Sequence, residues 1–171
     1  EGVIKHIPGH GRARSDSHET LPRVDASAAE LDTDSQPFAD LCDAAMAMTA
    51  HVVYEAWDPH HCASVSPLII EQQIRDRMGF EGLLMSDDLD MKALSGTLAD
   101  RAAAVLHAGC DIALNCWGRL DDMEAIANRV ATMSELSLSR LARACANVSV
   151  TTNTPALRQR IDALLDYRDA R

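Results

Sequence analysis

An α/β fold on a parallel sheet is the class this sequence predicts, and three observations predict it. Four short runs, at residues 2–6, 46–53, 82–86 and 111–116, are mostly apolar rather than alternating, as strands covered on both faces are. Helical patterns separate them. Polar residues collect at or just past the ends of the runs: Lys5 and His6, His51, Asp87 and Asp88, and Asn115. Such alternation implies βα units with right-handed crossovers. An open doubly wound sheet and part of a (β/α)8 barrel both fit, and both carry active sites on the strand-end face.

The first strand, Gly2 to His6, opens onto Lys5-His6-Ile7-Pro8-Gly9-His10-Gly11, which runs on to Asp16-Ser17-His18. Three of the seven histidines fall in this stretch. Pro8, Gly9 and Gly11 make it an irregular loop, and a loop on a strand end is where catalytic groups tend to sit. Ser35 and Pro37 read as the cap and first-turn proline of a helix through Phe38, Leu41, Cys42 and Ala45. Met46 to Val53 is the second strand. Asp58-Pro59-His60-His61 reads as a surface turn.

Ser66-Pro67 opens a helix with Ile70, Ile74 and Met78 on one face and Gly79 as its stop. Gly82 to Ser86 is the third strand. Thr97 starts a helix that buries Ala102, Val105 and Leu106 and closes at Gly109, with His107 in a structural place. Asp111 to Cys116 is the fourth strand. Three amphipathic helices follow, over Leu120–Met133, Leu138–Val148 and Pro155–Tyr167.

The 171 residues suit one domain, and 47% apolar with 25% charged residues is globular composition. A net charge of −10 argues against a nucleic-acid partner. No apolar run approaches the roughly 20 residues of a membrane span. Five cysteines, mostly within apolar segments, suggest buried thiols and a cytoplasmic location. The chain opens on Glu1 with no initiator methionine, so it is expected to be a piece of a longer protein.

The chemistry concentrates in two places. An acid at a buried strand end, as in Ser86-Asp87-Asp88, serves as nucleophile, general base or metal ligand, or else caps the next turn. Asp16 and His18, two residues apart, can share one side of an extended loop. The carboxylate would then fix the tautomer of the imidazole and raise its pKa. His6, His10 and His18 with Asp16 or Asp87 raise a metal site, but the spacing matches no zinc pattern. Pro8-Gly9-His10-Gly11 is no phosphate loop, because no Gly-Lys-Ser/Thr follows.

The string KHIPGHGRARSDSH at residues 5–18, followed by Leu21-Pro22, resembles the signature of the NagZ-like β-N-acetylhexosaminidases of glycoside hydrolase family 3. MTAHVVY (48–54), GFEGLLMSDDLDM (79–91) and AGCDIALNC (108–116) resemble that family's next strand-end segments, in order. Ile7 stands where the family usually has Phe. The resemblance implies the C-terminal half of a (β/α)8 barrel plus C-terminal helices, with residues 1–171 as a partial catalytic domain. The missing first half would supply an Asp and two Arg to the sugar, or self-association would replace it.

By the same resemblance Asp87 is the nucleophile, His18 the general acid/base and Asp16 the acid that polarises it. Lys5 and His6 bind hydroxyls of N-acetylglucosamine. The implied reaction is retaining hydrolysis of terminal β-linked N-acetylglucosamine from muropeptides in cell-wall recycling, with no cofactor or metal. The alternatives are a phosphorylase on the same scaffold and an inactive sugar-binding fragment.

Overall fold

The computed structural model describes residues 2–146 and 158–159. In chain order the elements are β1 (Val3–Ile7), β2 (Arg23–Val24), α1 (Ala28–Ala39), β3 (Met46–Thr49), β4 (Val53–Tyr54), a 3-10 turn (Ala63–Val65), a π-helix (Ile69–Arg77), β5 (Leu83–Met85), α2 (Leu98–Ala108), α3 (Leu120–Arg129) and α4 (Glu135–Cys145). Apart from Arg158 and Gln159, the helix expected over Pro155–Tyr167 lies outside the described residues.

The class is α/β with parallel strands, as expected. β1, β3 and β5 form one sheet in that order, with Val3 opposite Met46 and Met46 opposite Leu83. Each strand lies beside the next one of this sheet in the chain, so the order never reverses. The expected second strand is two pieces. β3 ends at Thr49, and Val53–Tyr54 pairs with Arg23–Val24 in a separate two-stranded parallel sheet. The expected fourth strand is reduced to one parallel bridge, Met85 to Ile112. There the Ser86 hydroxyl, rather than a backbone carbonyl, accepts from the Leu114 amide, and the ladder stops.

Local signals explain the helices. Ser66 Oγ accepts from the Ile69 amide at 3.2 Å, which leaves Pro67 in the first turn, where its missing N–H costs nothing. The π pitch shows in the Met78 amide, which reaches back five residues to the Gln73 carbonyl. Thr97 caps α2 by accepting from the Asp100 amide, and Gly109 ends it at φ 114°. α1 differs from expectation: Ser27 is the cap, with Glu30 completing a capping box, and Pro37 lies in the last turn.

The core packs Ile69, Ile70 and Ile74 of the π-helix and Ala102 and Val105 of α2 with Ile7, Ala47 and Leu84 of the sheet. Each fully buried isoleucine contributes about 1.5–3 kcal/mol. α3 buries no residue and α4 only Ala144, so those helices lie at the margin of the core. The thiols are mixed rather than mostly buried. Cys62 and Cys110 are buried, with pKa values pushed up to about 11 and about 12 by burial, while Cys116 and Cys145 are exposed. The Asp58 turn is more than a surface feature, because its buried carboxylate accepts from the amides of His60 and His61 and from Ser66 Oγ.

Gly82 is required by close approach. A Cβ there would lie 2.5 Å from the Ala44 carbonyl oxygen and 2.8 Å from that of Ala45. Gly82→Ala is therefore expected to destabilise the fold by about 1–3 kcal/mol, read as a lower urea midpoint. An unchanged midpoint would contradict this packing.

Candidate active site

Because β1, β3 and β5 are parallel, their C-terminal ends share one side of the sheet, where the chain leaves at Pro8, Ala50 and Ser86. Asp87 follows β5 and is 9% exposed. Its Oδ1 accepts from the Asp88 amide at 2.9 Å, and its Oδ2 lies 3.3 Å from His6 Nδ1. That nitrogen is buried and has no hydrogen-bond partner, so the contact is close but not aligned. Burial holds the His6 imidazole below the usual histidine range, opposed by the Asp87 charge.

The neighbouring acid has a different task. Asp88 Oδ1 accepts from the amides of Asp90 and Cys116, which anchors the turn. Asp87 Oδ2 accepts no hydrogen bond among the described residues. Among the described residues the Asp88 carboxylate thus holds two backbone amides from other residues, whereas Asp87 accepts only from its neighbour's amide and turns Oδ2 toward His6.

The loop after β1 is tied down at several points. Tyr54 Oη donates to the Gly9 carbonyl at 2.7 Å, and His10 Nε2 lies 3.2 Å from Ser17 Oγ. Arg12 pairs with Asp34 of α1. Lys92, beyond β5, donates its amide to the His18 carbonyl and its Nζ to Glu19. At the exposed tip, Asp16 Oδ1 accepts from the His18 amide at 2.9 Å and from His18 Nδ1 at 2.8 Å. Nδ1 thus holds a proton, and Nε2 is left for other work. The Asp16 hydrogen bond holds the His18 imidazole above its ordinary range, with the Asp87 and Asp88 charges adding to it. The His18 amide and ring in turn hold the Asp16 carboxyl below the usual range.

Two pairs are therefore brought together, His6 with Asp87 and Asp16 with His18. Lys5 lies exposed on β1 and makes no side-chain hydrogen bond among the described residues. His51, to which the sequence attached no role, is fully buried and bonded behind Asp88. Only its place at a strand end hinted at this. Among the described residues no group of three or more His, Cys, Asp and Glu is placed to hold a metal ion, and no helix is long and apolar enough to cross a membrane. A groove of about 890 Å³ between α2, α3 and the start of α4 is lined by none of Lys5, His6, Asp16, His18 and Asp87.

Residues 2–150 match the family model of the glycosyl hydrolase family 3 N-terminal domain. A β-hexosaminidase of Thioalkalivibrio sulfidiphilus is 47% identical over 118 residues, which is 67% of this chain and 34% of that protein. One from Chromobacterium violaceum is 44% identical over 117 residues, 66% of this chain and 32% of the relative. NagZ from Neisseria gonorrhoeae, solved in complex with N-trifluoroacetyl-D-glucosamine, superposes with a TM-score of 0.72 at 34% identity, covering 83% of this chain and 42% of that one. The chain thus spans about a third of the length of these curated relatives.

Proposed function

The chain belongs to glycosyl hydrolase family 3, and we propose that it supplies the nucleophile and the acid/base of a retaining β-N-acetylglucosaminidase. The carrying observation is the hydrogen-bonded Asp16–His18 pair on the loop after β1, in a chain that also carries a nearly buried strand-end carboxylate with one oxygen free, Asp87. In the proposed reaction Asp87 Oδ2 attacks the anomeric carbon, and the C–O bond to the leaving group breaks. His18 Nε2 gives its proton to the departing oxygen. The neutral ring then takes a proton from water, whose oxygen displaces Asp87 and restores the configuration. Asp16 keeps the ring turned and stabilises its cationic form. The part-exposed His6 ring and the exposed Lys5 are the groups proposed to hold sugar hydroxyls.

The unreversed strand order supports the second half of a (β/α)8 barrel rather than a doubly wound sheet, whose order reverses at its switch point. Residues 1–171 are then part of a catalytic domain, completed by a preceding half or by a second copy. The proposed substrates are cytoplasmic muropeptides with terminal β-linked N-acetylglucosamine, as in cell-wall recycling.

The test is release of p-nitrophenol from its β-N-acetylglucosaminide, by the chain alone and by the chain completed with the preceding half of a relative's domain. Turnover in either form supports the reading, and silence in both sinks it. Added phosphate separates the phosphorylase, which would yield a sugar 1-phosphate.

The pH profile checks the Asp16–His18 pair. His18 must be protonated to act as acid, so activity falls as pH rises through its pKa. Asp16 raises that pKa. Asp16→Asn is expected to move the alkaline limb of kcat/KM to lower pH. An unmoved limb would contradict the pairing.

A further inference from the structure

Thr49, His51 and Ser64 are each fully buried, at 0% exposure. Thr49 Oγ1 lies 2.6 Å from Ser64 Oγ, and Ser64 Oγ lies 2.7 Å from His51 Nδ1. His51 Nε2 lies 3.1 Å from the carbonyl oxygen of Asp88. A carbonyl only accepts, so Nε2 bears the proton. Nδ1 of the neutral ring accepts; the Ser64 hydroxyl faces two acceptors, Nδ1 at 2.7 Å and the Ala50 carbonyl at 3.1 Å, and gives its proton to the nearer, while Thr49 donates to Ser64. Burial favours the neutral ring; the titratable groups acting on it are Asp87, Asp88 and His6. Asp88 is thereby held on both sides: its amide donates to Asp87 Oδ1 and its carbonyl accepts from His51.

We infer that His51 is a positioning residue of the hydrolase: its Nε2–H, set by the Thr49–Ser64 chain, fixes the Asp87–Asp88 turn so that the Asp87 carboxylate keeps its line of attack. This rests on Asp87 being the nucleophile. Turns of this kind matter because a misplacement of about 1 Å costs about 10²-fold in rate.

The test uses whichever form of the protein, alone or completed, shows Asp87-dependent hydrolysis. His51→Leu is expected to lower kcat about 10²-fold with KM within about twofold. His51→Gln, whose amide N–H can reach the Asp88 carbonyl, recovers at least about tenfold of that loss. Ser64→Ala lowers kcat about tenfold. Nitrogen-15 spectra of the parent show His51 neutral and protonated on Nε2, and Ser64→Ala shifts the Nδ1 resonance. Thermal unfolding of each variant is followed alongside.

A folded His51→Leu protein with the parent's kcat overturns the inference, and so does equal impairment of the Leu and Gln variants. A ring protonated on Nδ1 alone overturns it as well. If His51→Leu does not fold, Ser64→Ala and the ring tautomer decide. A parent with no Asp87-dependent turnover in either form is a separate outcome: the proposed reaction fails first, and the role of His51 with it.

Discussion

Asp87→Ala is expected to lower kcat for an aryl β-N-acetylglucosaminide by at least about 10³-fold, because removing the proposed nucleophile removes the covalent route itself. The effect should be far larger than any change in KM. The alanine variant also vacates the space below the anomeric carbon, so added azide should restore part of the turnover. Azide would attack from the side Asp87 occupied and leave an α-glycosyl azide, inverted at the anomeric carbon. Asp88→Ala offers the contrast. Its carboxylate accepts from the Asp90 and Cys116 amides, so its loss should loosen the turn without permitting azide rescue. Equal losses in the two variants, neither rescued, would remove the distinction between the acids.

Asp111→Ala is expected to destabilise the fold by about 3–5 kcal/mol, the usual cost of stranding a buried charge. The Asp111 side chain is 2% exposed and accepts from Arg75 Nη2 at 2.9 Å, Arg140 Nη1 at 3.2 Å, Ser137 Oγ at 2.7 Å and the Leu84 amide at 2.9 Å. Arg75 and Arg140 are themselves only 12% and 10% exposed, so when the carboxylate goes Arg75 is left with the Phe80 and Gly82 carbonyls and no buried counter-ion, and Arg140 with Glu81 at 3.7 Å. The cluster ties the π-helix and α4 to β5, next to the strand end that carries Asp87. Asp111→Asn keeps an acceptor for the Leu84 amide and should be milder. Chemical denaturation reads both, and a midpoint unmoved by Asp111→Ala would contradict this account of the cluster.

Where local rules governed, the fold was legible. Thr97 and Gly109 bound α2 as cap and stop, and Ser66-Pro67 opens the helix that buries Ile70 and Ile74. Two misreadings have physical causes. Ser35 and Pro37 imitate a helix start, yet a proline in a last turn disturbs little, and the Ser27–Glu30 box upstream was the real signal. The run 46–53 splits because His51 turns into the core and Val53 pairs with Arg23, a partner far away in the chain. In the site, the contact between Asp16 and His18 follows from their spacing, and the structure contains it. The different settings of Asp87 and Asp88 could not be read from adjacency, since the amide of Cys116 that occupies Asp88 arrives from another βα unit. For His51 only its place at a strand end could be read, because its partners Ser64 and Asp88 are brought to it by the fold.

The central claim is that a glycosyl-enzyme forms on Asp87. The most direct measurement is mass spectrometry of the active form after reaction with a fluorinated N-acetylglucosaminyl donor, which forms the adduct faster than water removes it. The account predicts one added glycosyl group, mapped by peptide sequencing to Asp87 and absent from Asp87→Ala. Rapid turnover with the label on another carboxylate, Asp88 included, would contradict it.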